Sequence, residues 1–119
     1  MKELKQLMKL IQQIRDSGEE YDFILAPARG GLVAAQFLAY ALDIKTIHTI
    51  NDVRGNYPRS QANQRCLVVD DINDTGQTMG TIVSYMYNYK LASKVDMAVL
   101  FERHSSDIKA TYVGDTLYH

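Results

Sequence analysis

The run Cys66-Leu67-Val68-Val69-Asp70-Asp71, continuing through Ile72-Asn73-Asp74-Thr75-Gly76-Gln77-Thr78, constrains this chain more than any other stretch. Four apolar residues without polar alternation, β-branched at their end, predict a strand buried on both faces of a parallel sheet. The carboxylates Asp70 and Asp71 predict the strand's end. Small polar residues follow, and then the apolar spacing becomes helical, with Ile82, Val83, Met86 and Tyr89 on one face of a helix expected over Met79–Leu91. A strand, a small polar turn and a helix start make an anion cradle, because backbone N–H groups and the helix N-terminus converge on one point. The hydroxyls of Thr75 and Thr78 add donors, and Gly76 lets the backbone approach closely. Asp70, Asp71 and Asp74 would repel a bare phosphate. The ligand must therefore also offer sugar hydroxyls, a metal ion or a base proton, and a phosphorylated ribose brings all three close together. An acidic turn with Asp74 as a helix cap is the plain alternative, but capping needs neither the second acid pair nor the hydroxyl spacing.

A second strand–turn–helix unit precedes it. Phe23-Ile24-Leu25-Ala26 reads as a buried strand, Pro27-Ala28-Arg29-Gly30-Gly31 as a turn and Leu32–Leu42 as a helix. The two glycines permit close approach to an anion and Arg29 offers a positive fork, although such a turn alone is as often structural as functional. Before it, residues 3–16 carry the apolar stripe Leu4, Leu7, Met8, Leu10, Ile11 and Ile14 of an amphipathic helix stopped by Ser17-Gly18. Lys45–Ile50 reads as a strand; its His48 has no second ligand at zinc spacing. Asn51–Gln64 is polar and aperiodic, which predicts either a functional loop or a surface hairpin. Lys94–Phe101 is the next strand, Glu102–Ser106 a polar turn and Thr111–Val113 a last short strand; Tyr85, Tyr87 and Tyr89 read as packing or dimer residues. Alternating strands and helices predict an α/β fold, a parallel twisted sheet flanked by helices with right-handed crossovers.

At 119 residues, 46% of them hydrophobic, the chain is sized for a single domain over residues 1–119. A net charge of −1 argues against a general nucleic-acid binder. The single cysteine, Cys66, excludes a disulfide framework, and the first 21 residues hold no continuous apolar segment, so neither a signal peptide nor a membrane span is expected. A reducing cytoplasm is the expected setting.

Cys66–Thr78 resembles the phosphoribosyl pyrophosphate (PRPP) signature of type I phosphoribosyltransferases: apolar residues, two acids, two residues usually apolar, then D-T-G-x-T. Asn73 departs from it, standing where an apolar residue is usual. Ala28-Arg29-Gly30-Gly31 is similar to the pyrophosphate loop of the purine enzymes, and Gly31-Leu32-Val33 fits the xanthine–guanine type. The resemblance spans roughly residues 20–115. It implies the phosphoribosyltransferase fold with a short or missing hood, and Mg²⁺-dependent transfer of the 5-phosphoribosyl group from PRPP to a 6-oxopurine such as hypoxanthine, guanine or xanthine. The products are pyrophosphate and a nucleoside monophosphate. The implied roles are Asp74 as general base, Asp70 and Asp71 holding the ribose hydroxyls and Mg²⁺ (largely through PRPP and water), and Asp74, Thr75, Gly76, Gln77 and Thr78 binding the 5′-phosphate. By the same resemblance Ala28, Arg29, Gly30 and Gly31 are expected to bind pyrophosphate, with a cis or otherwise strained peptide at Ala28-Arg29. The family has a mobile loop at this place that closes over the substrate, and the resemblance makes Arg54, Tyr57 and Arg59 the candidates to reach the pyrophosphate. Arg103 stands near the lysine that meets the purine's exocyclic oxygen in those enzymes. They continue past the Tyr112-Val113-Gly114-Asp115 region into a segment whose aromatic residue stacks on the base, so weak base affinity is expected here unless Tyr112, Tyr118 or a partner subunit supplies the ring. A homodimer or higher oligomer is implied, with no nucleic-acid or membrane partner. The alternative is a non-catalytic regulator of the same fold that binds PRPP or nucleotides.

Overall fold

In the computed structural model, which describes residues 3–50 and 63–119, the N-terminal stripe forms helix α1 (Leu4–Ser17). Leu7, Leu10, Ile11 and Ile14 are buried while Leu4 and Met8 stay exposed. Gly18 ends the helix at φ 71, a left-handed conformation that glycine adopts without Cβ strain. Strand β1 (Phe23–Ala26) is buried along its whole length and leads through a 3₁₀ turn (Arg29–Gly31) into α2 (Leu32–Leu42). Then follow β2 (Ile47–Thr49), β3 (Arg65–Asn73), α3 (Gln77–Asn88), β4 (Lys94–Arg103) and β5 (Tyr112–Leu117).

The five strands form one parallel sheet in the order β2-β1-β3-β4-β5. Alternate residues of β3 face opposite cores. Leu67 and Val69 pack with α1 and α2, whereas Cys66 and Val68 pack with Met79, Ile82 and Met86 of α3. This two-sided burial is why the strand lacks polar alternation. Burying side chains of this size contributes about 1.5–3 kcal/mol each.

Element ends differ from the sequence expectation where polar residues pair across strands. β3 does not stop at the acids but runs to Asn73, in register with Glu102 of β4, and β4 itself reaches Arg103. Backbone ladders ignore side-chain polarity when the neighbouring strand also continues. β5 is six residues long, twice the expected length, and β2 shrinks to three. At the β5 edge, Gln13 of α1 donates from Nε2 to the Val113 carbonyl (2.7 Å) and accepts from the Val113 N–H (3.2 Å), so a side chain takes the place of a sixth strand. Among the described residues no helix is long and apolar enough to cross a membrane.

Candidate functional site

The strand order reverses between β1 and β3: β1 has β2 on one side and β3 on the other, and the chain leaves β3 in the opposite direction across the sheet. In open parallel sheets the crevice forms at such a point, beyond the carboxyl ends of the strands. Both expected anion turns sit there. After β1, Ala28 is extended (φ −138, ψ 159) and Arg29–Gly31 turn once before α2. The expected cis peptide is absent: Ala28-Arg29 is trans, as is every described peptide bond, because an extended Ala28 followed by a 3₁₀ turn carries the chain into α2 without it. Gly30 and Gly31 are pressed onto the end of β3. A Cβ on Gly31 would lie 2.6 Å from the Val69 carbonyl oxygen and 2.9 Å from the Asp70 Cα.

Asp70 is 6% exposed and Asp71 half-buried. Each Oδ1 accepts the next backbone N–H, Asp71 to Asp70 and Ile72 to Asp71, both at 2.9 Å. Burial first, and then the hydrogen bond and charge of Asp71, push the Asp70 carboxyl up from the ordinary 3.8 to about 7. This pair would gain most from a cation or from hydroxyl donors. Among the described residues no three His, Cys, Asp or Glu side chains gather at metal-binding spacing. The described residues alone therefore build no closed cage, and the pair fits a Mg²⁺ ion that takes its other ligands from phosphate oxygens and water.

The turn after β3 is built by Gly76 at φ 91 and by Thr75, whose Oγ1 accepts the Gln77 N–H at 3.2 Å. These start α3 at Gln77, two residues earlier than its apolar spacing suggested, so Gln77 and Thr78 form its first turn. A cavity of about 260 Å³ is lined by Ala28, Asp70, Asp71, Asp74, Thr75, Gly76 and Thr78 among others. The fold thus brings the first turn, the acid pair and the second turn together. Gln77 and Thr78 also border a neighbouring cavity of about 380 Å³ with Pro27 and Ala28.

Asp74 is exposed and ion-paired with Arg103 Nε; Arg103 also donates from Nη1 to the His119 carbonyl. Tyr118 is 75% exposed, with its ring 5.0 Å from that of His104. Tyr112 packs its ring into the α1-side core. It is 6% exposed, its ring meets Tyr21 edge-on, and its hydroxyl is shared with the Tyr21 hydroxyl (2.7 Å) and Ser17 Oγ (3.2 Å), so the α1-side core holds it. Arg54, Tyr57 and Arg59 lie outside the described residues. Sequence reasoning missed a buried polar set beside the turn, namely Asn73, Glu102 and Ser106. The one signal for it was Asn73 at a position of usually apolar character.

A model of the phosphoribosyl transferase domain family matches residues 1–115. No curated protein sequence matches the chain. Among solved structures, the Helicobacter pylori xanthine-guanine-hypoxanthine phosphoribosyltransferase superposes with a TM-score of 0.79 at 22% identity, covering 95% of this chain and 80% of that one. A purine phosphoribosyltransferase from Pyrococcus horikoshii Ot3 gives 0.73 at 22% identity, covering 94% and 80%. The Schistosoma mansoni hypoxanthine-guanine phosphoribosyltransferase in complex with IMP gives 0.70 at 20% identity, covering 94% and 61%. At these identities the likeness is one of fold.

Proposed function

Because the chain belongs to the phosphoribosyl transferase domain family, we propose that it moves the 5-phosphoribosyl group from PRPP to a 6-oxopurine, releasing pyrophosphate and forming a nucleoside monophosphate. The observation that carries this reading is the single cavity in which the Ala28 turn, the Asp70–Asp71 pair and the Asp74–Thr78 turn meet.

In the reaction a base nitrogen forms a bond to C1 of the ribose as the bond to the pyrophosphate oxygen breaks. Positive charge develops on the ribose and negative charge on the leaving group. Thr75, Gly76, Gln77 and Thr78 anchor the 5′-phosphate, with backbone donors at the start of α3, and so set the distance to C1. Asp70 and Asp71 hold the ribose hydroxyls and face the developing positive charge. Arg29 and the Gly30 and Gly31 amides receive the departing pyrophosphate. Mg²⁺, when bound, neutralises charge on phosphate oxygens. Asp74 takes the proton lost by the purine, and Arg103, beside it, donates to the exocyclic oxygen of a 6-oxopurine. Tyr118, exposed at the same end of the sheet, is the aromatic ring available to the base. A second copy packs on the apolar side chains left exposed on α1 and α2, Leu4, Met8, Val33, Phe37 and Tyr40. A cytoplasmic setting goes with the one buried thiol, Cys66.

The test is incubation with PRPP and Mg²⁺ against hypoxanthine, guanine, xanthine, adenine, uracil and orotate, with the nucleotide detected by mass spectrometry. A monophosphate from a 6-oxopurine is expected. Preference for a pyrimidine overturns the purine assignment. Intact PRPP binding with no transfer to any base moves the protein to the class of non-catalytic regulators.

A further inference from the structure

We propose that Asn73 and Glu102 are positioning residues for the phosphate turn, tying the segment between β4 and β5 against its back. This rests on the reading of Asp74–Thr78 as the 5′-phosphate site.

Asn73 is the last residue of β3, 2% exposed and in register with Glu102 of β4, itself 6% exposed. The Asn73 Nδ2 donates to Glu102 Oε1 at 2.8 Å and to the Ile108 carbonyl at 2.7 Å, which uses both hydrogens of the amide. The same Glu102 oxygen accepts the Ala110 N–H at 2.6 Å. Ser106, 4% exposed, donates from Oγ to the Ile108 carbonyl at 2.8 Å. The Asp107 N–H reaches the Thr75 carbonyl at 3.1 Å. Residues 106–110 are therefore fastened to β3, to β4 and to the turn itself.

Ile108 then fills the space that two glycines leave open. A Cβ on Gly76 would lie 2.7 Å from the Ile108 nitrogen, and one on Gly80 2.4 Å from Ile108 Cδ1. The turn is thus backed by a residue whose own place depends on the Asn73 amide. An apolar side chain at position 73 could fill the volume but could not hold the Ile108 carbonyl, and Glu102 would lose one of its two donors. Fixed N–H groups bind a phosphate well only when their direction is set beforehand. So the polar residue at 73 acts on the ligand through the 106–110 segment.

The experiment compares the full chain with Asn73→Val, Glu102→Gln and Ser106→Ala. Three quantities are measured: ribose 5-phosphate affinity by calorimetry, KM for PRPP against kcat, and thermal melting. For Asn73→Val the dissociation constant and KM rise roughly tenfold while kcat stays within about twofold, as expected for the loss of two buried hydrogen bonds that act on binding. Glu102→Gln keeps the volume and an acceptor oxygen for Asn73 and Ala110 and stays close to wild type, whereas a role resting on the negative charge of Glu102 predicts a loss of binding. Ser106→Ala removes one tie at almost constant volume, weakens ribose 5-phosphate binding roughly threefold, and carries the test if Asn73→Val does not fold. Wild-type protein that fails to bind ribose 5-phosphate overturns the transferase reading and this inference together. Wild-type binding with unchanged affinity in folded Asn73→Val, or in Ser106→Ala where only that variant folds, overturns this inference alone.

Discussion

A Cβ added to Gly30 would lie 2.4 Å from Oδ2 of Asp71, so the first turn and the acid pair are in contact across the crevice. The obstructing atom ends a flexible side chain, which can swing away. Gly30→Ala is therefore expected to leave melting nearly unchanged and to displace the Asp71 carboxylate. KM for PRPP should rise several-fold, on the order of 1 kcal/mol in binding. Gly31→Ala meets backbone instead, the Val69 carbonyl and the Asp70 Cα. It is expected to cost about 1–3 kcal/mol of stability, as overpacking does. Denaturant titration of the two variants checks the contrast; equal losses would remove the distinction.

Asp74→Asn preserves shape but cannot accept a proton. Ribose 5-phosphate binding should persist while transfer falls by roughly 10²–10⁴, the usual cost of losing a general base. Single-turnover kinetics read this directly, and near-normal turnover removes Asp74 from the base role. Asp70→Asn and Asp71→Asn are expected to weaken binding and transfer together.

The raised Asp70 carboxyl makes stability depend on pH. Titrating near 3.8 when unfolded and near 7 when folded, it holds its proton more tightly in the native state. The stability this contributes is complete below the lower value, declines as pH rises between the two, and is gone above the higher one. Asp70→Asn should then raise Tm by a few degrees at about pH 8 in Mg²⁺-free buffer and change it little at about pH 4. A Tm difference independent of pH would contradict the assignment.

Arg103 is shared between Asp74 and the His119 carbonyl. Its pair with Asp74 is partly exposed, so Arg103→Met should change stability by less than about 1 kcal/mol. Catalytic efficiency with a 6-oxopurine should fall by roughly tenfold or more, and with adenine much less, because only the former carries the oxygen proposed to meet Arg103. Equal losses on both bases would separate Arg103 from base selection.

The acid pair and the two turns were legible because each rests on local chemistry: Val68-Val69 for the strand, Gly30-Gly31 and Thr75-Gly76 for the turns. Their meeting was legible from the alternation of strands and helices, which sends both turns to the same edge of a parallel sheet. What stayed hidden was non-local. Whether β3 ends at Asp71 or at Asn73 depends on how far β4 extends beside it. Tyr112 offered a ring in sequence, but only the Tyr21 and Ser17 hydroxyls, residues 91 and 95 positions away, show that the core had claimed it. Asn73 was visible as an anomaly without a partner, since Glu102 lies on another strand.

The Gln13–Val113 seam joins residues 100 positions apart, and this has a kinetic meaning. Such a contact closes most of the chain into a loop and carries a large entropic cost. β1 and β3, which carry the two turns, pair across a separation of only 43 residues, as between Phe23 and Cys66. The crevice strands are therefore expected to assemble before α1 docks on β5, whose own pairing with β4 is local, as between Ala98 and Tyr112. A lesion at Gln13 is expected to speed unfolding and leave the surviving folded molecules with unaltered substrate affinity.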